Sequence, residues 1–297
     1  MTPARKFPQV DQTDVTGELK EIYDDIQSTL RVAWVAFACR ALATFPAYLP
    51  LAWRAAQPNF ATRYAERAAD TLRERSLLPG ASLPDPRPEL SELGWDDARV
   101  DAVRWALDTL NYGNPKYLLL ITAWSEAIQG RPSGGAAELS LDDLASIPRG
   151  LPEGVAPLQL VDPDTAPPET QKLFKRVTDS HWHHGPSSDY RVLANWPDYL
   201  RFALDHALEP VVRTEEYDAV ARYLLIRARE LVRGFPTPAG VGSDELADSC
   251  SPSEIAGLTG LLFMYQRFIC DVTIDMIRLK QAFDGSEAAA ASPFPIP

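Results

Sequence analysis

The sequence predicts an all-α protein: two pseudo-symmetric helical repeats joined by a long proline-rich linker, with the functional site between them. Three observations predict it. Apolar residues recur with helical spacing along most of the chain. No run alternates apolar and polar residues between hairpin turns. The chain also repeats itself at an offset of 151 residues, where Arg40-Ala-Leu-Ala-Thr-Phe-Pro-Ala-Tyr-Leu49 aligns with Arg191-Val-Leu-Ala-Asn-Trp-Pro-Asp-Tyr-Leu200, identical at six of ten positions. Without gaps, the same offset pairs Val10-Asp11 with Val161-Asp162, Ile22-Tyr23 with Leu173-Phe174, Leu107 with Leu258 and Thr122 with Thr273.

The first repeat is assigned to residues 1–130. Leu19, Ile22, Tyr23 and Ile26 form one apolar stripe of a helix. Val32 to Trp53 is mostly apolar and about long enough to span a bilayer. It carries Arg40 near its middle and prolines at 46 and 50, and its repeat equivalent is strongly polar, so it is read as buried core. The linker, 131–168, holds Pro132, Pro148, Pro152, Pro157, Pro163, Pro167 and Pro168 with Gly134-Gly135 and Gly150, and is expected to run over the surface.

The second repeat covers 169–283. Thr214-Glu-Glu opens a helix reaching Val232, with acids in its first turn and arginines later, as the helix dipole prefers. Ser251-Pro-Ser-Glu254 is a capping box with proline at the first helical position. From Asp284 to Pro297 the chain reads as a disordered tail.

Composition narrows the partners. A hydrophobic content of 45% in 297 residues supports real cores. The net charge is −12 and no Lys/Arg cluster appears, which argues against nucleic acid or an anionic membrane as partner. Cys39, Cys250 and Cys270 form no CxxC pair, so no structural disulfide is expected, and scattered thiols argue against a peroxidase-like thiol enzyme. The start, MTPARKFPQVDQTD, lacks the apolar stretch of a signal peptide, and the expectation is a cytoplasmic protein.

Chemistry is sought where the repeat is unequal. Asp189 aligns with Ala38, Ser188 with Phe37, and Tyr265 with Asn114. Asp189 follows Gly185-Pro186-Ser187-Ser188, so it falls in the first turn of a helix with Ser187 or Ser188 as its cap. From position alone it reads as an acid facing the helix dipole.

The chain resembles the all-helical 2-haloacid dehalogenases, the D,L group whose members often accept both enantiomers. The matching residues run in order through the chain: Trp34 and Phe37 in WVAF, Thr62 and Glu66 in TRYAE, Asn114 and Tyr117 in NYGNPKY, Ser188-Asp189 in SSDY, and Tyr265, Phe268 and Ile269 in MYQRFI. The resemblance implies Asp189 as catalytic base and Asn114 as holder of the water or substrate. Trp34, Phe37, Tyr117 and Tyr265 would wall a pocket, which Ser187, Ser188, Phe268 and Ile269 complete. It also implies hydrolysis of small 2-haloacids to 2-hydroxy acids and halide by direct attack of water with inversion, no cofactor or metal, and a homodimer.

Residue chemistry agrees with this assignment. A carboxylate with an ordinary pKa of about 3.9 is a weak base, and burial among aromatic rings would raise it. An amide can orient a water for deprotonation. No arginine sits in the matched motifs, so the amides of the repeat-equivalent Phe37 and Ser188 are candidates to hold the substrate carboxylate. Thr62 and Glu66, four apart, are expected to share a helix face and support the site. The alternative is a metal-dependent hydrolase or binding protein built on His181, His183 and His184, without HExxH or Cys/His spacing to support it. A helical adaptor that has lost its chemistry is the other alternative, and the presence of every matched position argues against it.

Overall fold

The computed structural model describes residues 8–80, 83–135 and 138–296. It is all-α, with no strand among the described residues beyond an isolated bridge between Thr62 and Ser146. The first half contains α1 (Gly17–Leu30), α2 (Phe37–Leu42), α3 (Tyr48–Phe60), α4 (Arg63–Arg75), α5 (Arg87–Glu92) and α6 (Asp97–Ile128). The second contains α7 (Pro168–His181), α8 (Ser188–Leu193), α9 (Pro197–Phe202) running into a π-helical turn (Ala203–Leu208), α10 (Glu215–Arg233), α11 (Ser243–Leu246) and α12 (Pro252–Ala290).

Two long helices make the centre. In α6 every residue from Thr109 to Ile128 is buried, the mark of a helix covered on all faces. Asp96 caps it by accepting from the Arg99 N–H at 2.9 Å. Its most extensive neighbour is α12, which starts at the expected capping box, with Ser251 Oγ accepting from the Glu254 N–H at 3.3 Å and the Ser251 N–H donating to Glu254 at 2.8 Å. Thr214 caps α10 as expected, accepting from the Tyr217 N–H at 3.3 Å.

α12 is also long and apolar enough to cross a membrane, with a mean hydropathy of 1.2 over its best 18 residues, half of them buried in the protein. The stretch Val32 to Trp53 is divided between α2 and α3, and its apolar side chains face the core.

The repeat offset recurs in the backbone. α7 and α8 begin and end 151 positions after α1 and α2. Arg31 and Trp182 close α1 and α7 with matching left-handed backbones, φ 61° and 58°. The Val10 N–H reaches the Arg40 carbonyl at 3.0 Å, and the Val161 N–H reaches that of Arg191 at 3.1 Å. The halves then diverge: α3 runs straight through where α9 passes into a π turn, and α5 has no counterpart at the offset.

Between α6 and α7 the described residues form no helix. This segment is pinned to both halves, with Arg63 N–H to Ala145 carbonyl at 2.9 Å and Arg67 to Asp143 at 2.6 Å in the first, and Gly135 N–H to Phe235 carbonyl at 2.9 Å in the second. The expected disordered tail is not observed over the described residues. α12 continues to Ala290 past a break at Gly285 (φ 81°), Asp284 pairs with Arg104 at 2.6 Å, and the Phe294 ring meets the edge of Tyr112 at 5.3 Å. An alanine-rich run extends the helix and one aromatic ring finds an apolar seat.

Candidate active site

A cavity of about 350 Å³, its open mouth included, lies where the halves meet. From the first half Trp34, Phe37, Asn114 and Tyr117 line it. From the second come Ser187, Ser188, Asp189, Tyr265, Phe268 and Ile269, so all ten residues assigned to catalysis or substrate binding share one cavity. Ala36, Ala38 and Val272 also line it. Ala36-Phe37-Ala38 and Ser187-Ser188-Asp189 are equivalent at the 151 offset, as are Asn114 with Tyr265 and Tyr117 with Phe268. Most of the wall is thus made of equivalent positions bearing different side chains, with Trp34, Ile269 and Val272 outside the pairing.

Among the described residues Asp189 is the only carboxylate on that wall, and it is 4% exposed. It sits in the first turn of α8. Ser187 is the N-cap but its hydroxyl makes no capping bond; it donates to Asp189 Oδ2 at 3.0 Å. Asn114 Nδ2 donates to Oδ1 at 2.7 Å. Burial pushes the Asp189 carboxyl up to about 6, against the lowering effect of the Asn114 and Ser187 bonds and its own backbone N–H, while the charge of Asp275 adds to the rise.

Asn114 is held in place by the construction of α6. Pro115 lacks the N–H that would bond the Asn111 carbonyl, and Arg73 Nε takes its place at 3.0 Å. A Cβ on Gly113 would lie 2.3 Å from the Trp34 ring, so only glycine lets that ring lie against α6 beside Asn114. Trp34 is fixed further by its carbonyl, which accepts from the Tyr117 hydroxyl at 2.5 Å, and Phe37 meets Tyr265 edge-on at 5.7 Å. Neither Gly113 nor Arg73 is marked in the sequence by a motif of its own; their contacts come from elements far apart in the chain.

Thr62 and Glu66 do not line the cavity. Thr62 is the N-cap of α4, its side chain accepting from the Ala65 N–H at 3.4 Å, so the expected shared helix face does not form. Glu66 is buried beneath the site, where Oε1 accepts from Lys116 at 2.5 Å and from the Tyr112 hydroxyl at 3.1 Å. Burial brings the Lys116 amine down to about 8 against the pull of Glu66.

The histidines do not converge as a metal cluster would, and no group of three potential ligands occurs among the described residues. His181 Nε2 meets Asp275 at 2.8 Å, whereas His183 Nε2 meets Asp271 at 3.1 Å. His184 lies with the aromatic wall, stacked on Phe37 at 5.2 Å, and burial lowers it to about 4. Asp275 also accepts from the Tyr190 hydroxyl and, at 3.0 Å, from that of Tyr217, so a buried polar network stands behind α8.

Residues 33–190 match the family described as "Halocarboxylic acid dehydrogenase DehI". That description says dehydrogenase, whereas the relatives are named dehalogenases. The chain is 57% identical, over all of both chains, to a configuration-inverting 2-haloacid dehalogenase of Alcaligenes xylosoxydans xylosoxydans. It is 48% identical to one of Pseudomonas sp. (strain 113), over 98% of this chain and 95% of the other. A D-2-haloacid dehalogenase mutant solved in complex with D-2-CPA is similar with a TM-score of 0.87 at 26% identity, over 93% of this chain and 96% of that one.

Proposed function

The chain belongs to the DehI halocarboxylic acid family, and from that membership and its cavity we propose that it hydrolyses the carbon–halogen bond of small 2-haloalkanoic acids, giving the 2-hydroxy acid of inverted configuration and halide. The observation that carries the mechanism is the buried Asn114–Asp189 contact of 2.7 Å inside an aromatic cavity, with the carboxyl raised to about 6.

Asp189 acts as general base: near neutral pH it is ionised, yet far more basic than an exposed carboxylate. A water between Asp189 and the substrate's second carbon gives its proton to the carboxylate, and its oxygen attacks opposite the carbon–halogen bond. The halide leaves with the bonding pair, so the centre inverts. Asn114 orients the carboxylate and the water. Apolar walls at Trp34, Phe37 and Tyr265 reduce the solvation that would blunt the nucleophile. Phe37 and Ser188, at equivalent helix starts, face the substrate carboxylate. No cofactor is required on this reading, and the chain works as a cytoplasmic homodimer.

Halide release from D- and L-2-chloropropionate tests the activity. A single turnover in ¹⁸O-water with enzyme in excess tests the mechanism. The label is expected in the hydroxy acid; label in the Asp189 peptide instead would establish a covalent ester route.

A further inference from the structure

A 2-haloacid is an anion, and it must enter a cavity whose one charged wall residue, Asp189, is also an anion, in a protein of net charge −12. The nucleophile releases a second anion there. Something must offset this repulsion.

Arg40, on α2 one turn beyond Phe37, is 1% exposed. Its guanidinium bonds only neutral acceptors: the Val35 carbonyl, Gln9 Oε1 at 3.0 Å and Ser188 Oγ at 3.5 Å. Among the described residues it has no carboxylate within the 4.0 Å of an ion pair. Asp11 attracts it only through space, and Arg191 opposes that attraction. A buried cation without a paired anion is costly, and a bound anion relieves the cost. Arg40 also reaches the cavity wall twice, at Ser188 and over the Phe37 ring at 5.6 Å.

Its repeat equivalent shows the difference. Arg191 donates to the Val161 carbonyl at 2.9 Å and is drawn through space to Asp162 and Asp164 as well as to the Asp11 that it shares with Arg40.

We infer that Arg40 is the buried counter-charge of an anion subsite at the Phe37–Ser188 wall, positioning the carboxylate of the 2-haloacid and of its 2-hydroxy-acid product through the Ser188 hydroxyl. Ser188 Oγ accepts from the guanidinium, which turns its O–H outward to donate to the bound carboxylate. Arg40 is a positioning residue, acting through Ser188 and through its field in a low-dielectric wall. This rests on the haloacid reading of the cavity and names what holds its substrate.

Propionate, which has no halogen to lose, separates the two ideas. Calorimetric titration with propionate and KM for 2-chloropropionate are measured for the wild type, Arg40→Gln, Arg40→Lys and Gln9→Leu, with helix content and melting checked for each. Arg40→Gln removes the charge and keeps an amide donor, with shorter reach and fewer N–H groups. It is expected to weaken propionate binding and raise KM on the order of tenfold, with kcat less affected. Arg40→Lys restores most of both, and Gln9→Leu, which removes a purely structural partner, leaves both near wild type. The inference is overturned by wild-type propionate affinity in folded Arg40→Gln, by Arg40→Lys as impaired as Arg40→Gln, or by Gln9→Leu as impaired as either. If Arg40→Gln does not fold, Arg40→Lys against Gln9→Leu decides it: retained affinity in the lysine variant supports the charge, and equal loss in both refutes it. A wild type that binds propionate but releases no halide would defeat the dehalogenase reading while leaving Arg40 tested.

Discussion

Asp189 is where burial becomes both chemistry and instability. Because its pKa in the folded protein is raised to about 6 from an ordinary 3.8, the proposed general-base role predicts that halide release falls about tenfold per pH unit below about 6, as the carboxylate takes up a proton. The same shift acts on stability with the opposite preference. A carboxyl raised by folding contributes stability that is present below its unfolded value and lost as pH rises through the folded one. Asp189→Asn should therefore lower the activity at least about a hundredfold, yet stabilise the protein at pH 8 by up to about 3 kcal/mol at ~1.4 kcal/mol per unit, read as a higher melting temperature. The gain should shrink as pH falls toward 4; equal melting at pH 8 would mean that Asp189 is not strained by burial. Its place in the first turn of a helix was legible in the sequence, because SSDY follows Gly185-Pro186 at a helix start. Arg40 stands in the sequence as the start of the repeat window and as a charge against a membrane span; nothing there places it at the site, since its neighbour Ser188 lies 148 positions away.

Short helices need outside support, and α8 has six residues, too few to hold itself. Its second anchor is Tyr190, next to Asp189, whose hydroxyl donates to Asp275. That carboxylate is also held by His181 from α7 and Tyr217 from α10. Burial pushes His181 down, but Asp275 outweighs it and the imidazole is raised overall, so the stability it adds is present below about 6.5 and lost as pH rises through its raised value. His181→Gln should accordingly destabilise the protein more at pH 6 than at pH 9 in urea titrations. On α6, Asn114→Ala should slow turnover strongly at modest loss of stability. Asn111→Ala should do the reverse, because Asn111 Nδ2 only ties α6 to the Met276 carbonyl of α12 at 3.2 Å; equal loss of turnover would mark a fragile helix and not a catalytic amide. Capping boxes, the Thr214 cap and the first-turn placement of Asp189 were readable because their signals are local. Thr62 misled for the same reason: four-residue spacing says nothing about which residue lies just outside the helix.

The 151-residue offset read from one ten-residue window recurs in the backbone at α1 with α7 and at α2 with α8, since equivalent backbone positions keep similar packing residues. Where the halves depart, at the π turn after α9 and at α5, the sequence carried no periodic signal to mark it. The tail misled because its composition, GSEAAAASPFPIP, describes an unanchored chain, whereas Phe294 is anchored by a ring on α6. α12 escaped notice as a membrane-length helix; its hydrophobicity is used against α6.

Among its described residues, the segment between α6 and α7 supplies no side chain to the cavity, and in sequence it separates Asn114 and the Trp34–Phe37 wall from Asp189 and Tyr265. Its Leu141 is 89% exposed, an open target for a protease with a taste for leucine. Cutting there would leave a heterodimer of fragments, each burying the other's apolar face, with Asp189 on one polypeptide and Asn114 on the other. The nicked protein should keep its turnover through gel filtration in buffer. After separation in urea, neither fragment alone should release halide, and mixing the two should restore it with a rate that depends on concentration. Retained activity in an isolated fragment would show that the site does not require both.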